Sequence, residues 1–103
     1  HDSMQGRATG TEGMMKAAHF IAQQMKAIGL QPLQSNDGYF HRYGKLSFWD
    51  KYEAINVIGV LPGTTKPEEY VIFSAHYDHI GKIKSKKDSV FNGANDNASG
   101  TAL

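Results

Sequence analysis

"VIFSAHYDHIG", residues 71–81, sets two unlike chemistries end to end. Five mostly apolar residues run straight into His76, Asp78 and His79, two imidazoles around a carboxylate. An unbroken run of β-branched and aromatic residues predicts a strand buried on both faces, here "EYVIFSAHY", residues 69–77. Residues two apart in a strand project to one face, which puts His76 and Asp78 side by side. They stand at the C-terminal end of that strand, where open α/β sheets hold their ligands. A carboxylate next to a ligating imidazole can hold the ring's second N–H, fixing the tautomer and raising ligand basicity. Alone, His-x-Asp also describes two polar residues where a strand reaches water. A second element is needed.

That element is "NGANDNASG", residues 92–100. Asp96 stands there among glycines, small residues and amides, a setting that lets backbone approach a buried ion closely. The same stretch would also serve as a helix-capping Asx turn through Asp96 or Asn97. Two such elements within one short chain shift the balance towards a shared metal site.

Around this pair the chain reads as alternating helix and strand. Residues 11–28, "TEGMMKAAHFIAQQMKAI", predict a helix with an apolar stripe through Met14, Ala17, Ala18, Ile21, Met25 and Ile28. Thr11 is placed to cap its start, Glu12 favours the positive end of the dipole, Gly29 suits the left-handed C-cap, and Pro32 stops continuation. His19 falls beside the stripe, at the helix surface. "GYFHRY", 38–43, is a short aromatic strand followed by a loop carrying Trp49. "AINVIGVL", 54–61, predicts a strand covered on both faces, and "PGTTKP", 62–67, a turn. Residues 81–93 form a polar loop, and a helix begins near Ala98. The pattern implies an α/β or mixed-sheet layered domain.

Composition narrows the class. The chain has 103 residues, 40% hydrophobic, 20% charged and 11% aromatic, which fits one globular domain or part of one. Eleven basic against ten acidic residues leave a net charge of +1, so charge gives no reason to expect nucleic acid or an anionic membrane as partner. Without cysteine there are neither disulfides nor thiolate metal sites. No apolar run reaches the roughly 20 residues of a membrane span, and "HDSMQGRATG" lacks the pattern of a signal peptide. The helical pattern opening at "ASGTAL" leads us to expect a piece of a longer protein.

"SAHYDHIG" followed by "NGANDNASGTA" strongly resembles the co-catalytic zinc aminopeptidases of clan MH, exported bacterial leucine-type enzymes and relatives that include glutamate carboxypeptidases and glutaminyl cyclases. "INVIGVLPG" resembles the strand before the metal-binding one, and the opening 32 residues resemble the family's first helix. The resemblance implies a mixed, largely parallel sheet between helices, a three-layer α/β fold of which 1–103 is the N-terminal portion. It implies that His76 ligates one zinc, that Asp96 bridges both zincs, that Asp78 orients His76, and that the Asp96–Asn97 peptide is cis. It also implies export, two Zn2+ per complete catalytic domain and peptide N-termini as substrate.

The family's general base and its neighbouring zinc ligand are a Glu-Glu pair beyond the bridging Asp, and residues 97–103 contain no Glu. Glu68–Glu69 precedes the His76 strand and reads as a solvated strand start. His79 reads as structural or as supporting a ligand, and "KIKSKKD", 82–88, as a solvated loop. His1 and Asp2 are candidates for lying near the site. Two protein ligands fall short of the three usual for catalytic zinc. The 103-residue chain is therefore expected to bind zinc weakly or not at all, to lack peptidase activity, and to self-associate through an open sheet edge. Two alternatives stay open: a glutaminyl cyclase of the same fold, and a non-catalytic binding module.

Overall fold

The computed structural model describes residues 1–33, 37–44, 53–83 and 89–103. Trp49 and most of the 82–88 loop lie outside these residues. The chain opens with a 3-10 turn, Asp2–Arg7, whose Gln5, Gly6 and Arg7 all take positive φ. Helix α1 follows at Glu12–Ala27. Thr11 caps it as expected, its side-chain oxygen accepting from Met14 N at 3.4 Å. The far end closes as a Schellman motif: Gly29 (φ 84) donates to Lys26 O and Leu30 N to Met25 O. Met14, Ala17 and Ala18 of the predicted stripe are buried and Ala22 joins them, whereas Ile28 is 73% exposed. His19 is exposed and sets its ring edge-on to Phe40 at 5.0 Å.

Among the described residues six short strands follow the helix in sequence: β1 (Gln31–Pro32), β2 (Phe40–Tyr43), β3 (Ala54–Val57), β4 (Gly59–Val60), β5 (Gly81–Lys82) and β6 (Val90–Phe91). All of their pairings are antiparallel: β1 with β4, β2 with β3, β5 with β6. The predicted strand over 54–61 thus changes partner midway. It ladders with β2 up to Ile58, whose N–H donates to Tyr39 O, and then with β1. Ala54 and Ile55, which face opposite sides, are both buried, whereas Asn56 and Leu61 are exposed, so the strand is covered on both faces only at its start. Gly59 lets the crossing pass close to α1, since a Cβ there would meet Leu30 Cδ1 at 2.9 Å and Met25 Sδ at 3.0 Å.

The largest departure from expectation concerns residues 69–77. They form no strand: none pairs in a ladder, and Tyr70, Val71, Ile72 and Phe73 are exposed, Phe73 by 93%. A buried strand requires a hydrogen-bonded neighbour on each edge and a layer on each face. Among the described residues nothing supplies these to the 69–77 run. The expected largely parallel sheet is therefore replaced, among the described residues, by small antiparallel ladders packed with helix. Glu69 is solvated as expected, paired with Lys66 at 2.8 Å.

The core is small: Met14, Ala17, Ala18, Ala22, Ala54 and Ile55. Among the described residues one charged side chain, Arg7, is buried with it at 4% exposure. The N-terminal turn packs on α1 so closely that a Cβ on Gly13 would lie 2.0 Å from Met4 O. This turn also carries the remainder of the chain, through contacts with residues 77–81 and 92–93.

Candidate metal centre

His76 and Asp78 precede β5 on the extended 71–80 segment, and Asp96 lies in a wide turn, Ala94–Ala98, that leads into the short helix α2 (Ser99–Ala102). The turn closes through Ala98 N to Gly93 O at 3.2 Å, and the Asp96–Asn97 peptide within it is cis, in line with the resemblance. Asn97 Oδ1 accepts from Gly100 N, and Thr101 Oγ1 donates to both Asn97 O and His76 O. The start of α2 is thereby tied to both motifs.

The structure brings the three candidate residues together. His76 Nε2 lies 3.0 Å from Asp96 Oδ1, and His76 Nδ1 lies 3.4 Å from Asp78 Oδ1 and 3.2 Å from Asp78 O. Both ring nitrogens thus face oxygens that only accept, Nδ1 those of Asp78 and Nε2 that of Asp96. Nε2 and a carboxylate oxygen this close require a shared cation, a proton or a metal ion. Zinc holds imidazole nitrogen and carboxylate oxygen at about 2.0–2.2 Å, so two tetrahedral ligand atoms stand about 3.3 Å apart. The pair is within a few tenths of an ångström of that spacing. His76 and Asp96 therefore fit two places of a zinc coordination sphere, with Asp78 behind the imidazole. Among the described residues no group of three or more His, Cys, Asp or Glu forms a set able to hold a metal ion.

Four further residues belong to this geometry, and sequence reasoning gave them less weight or none. His79 is nearly buried, its Nδ1 3.5 Å from Asp96 Oδ2 and its ring edge-on to Phe91. Gly93 (φ 55) makes room for that ring, since a Cβ there would meet it at 2.7 Å. Thr9 Oγ1 donates to Asp78 Oδ2 at 2.7 Å. Arg7 donates to Tyr77 O, Asn92 O and Gly93 O. Of the two N-terminal candidates, Asp2 accepts from Asn92 Nδ2 at 2.8 Å, beside the site but outside it. A side chain over 65 positions away announces such contacts by no local pattern. The positive-φ turn around Gly6 was the one available signal, and a single glycine in sequence does not reveal it.

Tyr77 sits between His76 and Asp78 in the chain and turns the other way, donating to Ile55 O. Burial, then the neighbouring Asp78 and Tyr43, push its phenol up to about 12. A cavity of about 150 Å³ lies against it, lined largely by apolar groups of Met4, Phe20, Ile21 and Ala98. None of His76, Asp78 and Asp96 lines that cavity.

His76 and Asp96 at ligand spacing, with Asp78 behind the imidazole, make a candidate for part of a metal site. Residues 56–103, a little under half of the chain, match the model of peptidase family M28. The match runs from the end of β3 through α2 and supports a peptidase-type hydrolase. No curated protein and no solved structure matches the chain.

Proposed function

We propose that this chain contributes to the catalytic domain of an exported, zinc-dependent aminopeptidase that removes N-terminal residues from peptides. The observation that carries the reading is the 3.0 Å approach of His76 Nε2 to Asp96 Oδ1, with Asp78 against the other ring nitrogen. His76 and Asp96 would hold zinc, Asp96 offering its two oxygens to two ions. Asp78 would keep the His76 proton on Nδ1 and so keep Nε2 available. Bound zinc supplies an acidified water and polarises the scissile carbonyl. The general base is not among residues 97–103, and the parallel sheet of the family would be completed by other segments of the domain. Export is supported by the resemblance of the motifs to exported enzymes.

The test uses the full encoded protein, with zinc content and hydrolysis of aminoacyl anilides as readouts. Two zincs per chain and cleavage are expected. Asp96→Asn, which removes the bridging charge, is expected to abolish both, and Asp78→Asn to weaken zinc binding by about 10–100-fold. A protein that holds zinc yet leaves the anilides intact ends the peptidase reading. One zinc per chain with cyclisation of N-terminal Gln would replace it by the cyclase.

A further inference from the structure

We propose that the N-terminal segment Gly6, Arg7 and Thr9 is the positioning frame of the metal site, Arg7 joining its two loops and Thr9 anchoring Asp78. The inference rests on the metal-site reading above and extends it to residues outside the family match, which begins at residue 56.

The buried Arg7 guanidinium spreads its donors over three backbone carbonyls: Nε to Tyr77 O at 2.6 Å, one terminal nitrogen to Asn92 O at 2.6 Å and the other to Gly93 O at 3.2 Å. Tyr77 lies between His76 and Asp78, and Asn92–Gly93 opens the turn that carries Asp96. One rigid planar fork thus spans both ligand-bearing segments, a geometry that the single ammonium of lysine does not reproduce. The Arg7 backbone adds a fourth link, its carbonyl accepting from His79 N at 3.0 Å.

To present itself this way Arg7 takes φ 51, and Gly6 before it takes φ 70. Gly6 lies against Gly81 so tightly that a Cβ would fall 2.1 Å from Gly81 O. Non-glycine residues adopt positive φ at a cost and keep it where surrounding contacts over-determine it. Four hydrogen bonds to two loops are such contacts. Two residues on, the Thr9 hydroxyl donates to Asp78 Oδ2, the oxygen that does not face His76. The result is a relay: Thr9 fixes Asp78, Asp78 holds His76 Nδ1, and Nε2 is left aimed at Asp96. Arg7 and Thr9 touch neither metal nor substrate in this arrangement. They are positioning residues.

Thr9→Val preserves shape and removes the hydroxyl, Thr9→Ser retains it, and Arg7→Lys retains charge without the fork. In the full encoded protein, zinc affinity is read by competition with a chromophoric chelator. The His76 ring state is read in the metal-free protein from side-chain 15N shifts. Thr9→Val is expected to weaken zinc binding by about tenfold or more and to shift the His76 nitrogens towards mixed tautomers, with Thr9→Ser restoring both. Arg7→Lys is expected to weaken zinc binding likewise, and should it fail to fold, Thr9→Val still decides. Wild-type affinity and unchanged His76 shifts in Thr9→Val overturn the proposal while leaving the metal site intact. A wild-type protein that binds no zinc, with His76 shifts still moved by Thr9→Val, overturns the metal reading and leaves the frame standing.

Discussion

At the scale of single residues, the balance between burial and pairing decides the behaviour of the site. Arg7 is a buried charge satisfied by carbonyls. Hydrogen bonds to charged groups contribute about 1.5–3 kcal/mol each, and removing one partner leaves a full desolvation penalty. Arg7→Ala is therefore expected to destabilise the protein by about 3–5 kcal/mol, measured by denaturant unfolding. Tyr77 offers a pH test. Its folded pKa is raised above its ordinary value to about 12, so the folded state holds the proton more tightly. The associated stability is fully present below pH about 10 and is lost as pH rises through about 12. Discounted for partial exposure, the effect is about 1–2 kcal/mol. Thermal midpoints between pH 9 and 12 should fall more steeply for the wild type than for Tyr77→Phe, and equal slopes would contradict the assignment. The His76–Asp78 pairing was legible because it depends on side chains two apart. The Thr9–Asp78 pairing was not, because the partner comes from the other end of the chain.

At the scale of elements, helix α1 was legible almost to its ends, since its cap, its stripe and its terminating Gly29 are local properties. Ile28 escaped the stripe because the Schellman turn ends the helix beside it, and nothing among the described residues covers that last turn. Gly13 shows propensity and packing in conflict. Alanine at a helix position is favoured over glycine by about 1 kcal/mol, but its Cβ would sit 2.0 Å from the backbone oxygen of Met4. A backbone atom cannot swing aside as a side chain can, so the overlap outweighs the propensity. Gly13→Ala is expected to lower stability by about 1–3 kcal/mol in thermal melts followed by circular dichroism. A stabilised variant would show that the turn and α1 separate freely.

The molecule as a whole exposes more surface than its mass requires. Its accessible area is 8242 Å², against about 5,700 Å² for a compact monomer of 11.3 kDa. Tyr70, Val71, Ile72 and Phe73 leave one apolar stretch standing exposed. Apolar backbone of this kind pairs readily with another chain. The 103-residue chain is expected to self-associate in sedimentation velocity experiments at micromolar concentration. Ile72→Lys with Phe73→Lys should return it to monomer, and wild-type sedimentation at monomer mass would remove this expectation.

Local patterns were enough to define the helix, its caps and the short strand in "GYFHRY", and to bring His76, Asp78 and Asp96 forward as candidates that the family resemblance then singled out. These depend on spacing and residue type within a few positions, where backbone geometry alone dictates which side chains meet. The fate of the apolar run at 69–77 depended on neighbours that an apolar pattern demands but does not provide, and only the folded chain shows it standing open. Tertiary structure likewise decided that Arg7 and Thr9, at one end, hold the metal motifs together at the other. Hydrophobicity specifies that a segment seeks cover. Which segment covers it, and which distant donor reaches a carboxylate, follows from the closing of long loops, a property of the whole chain.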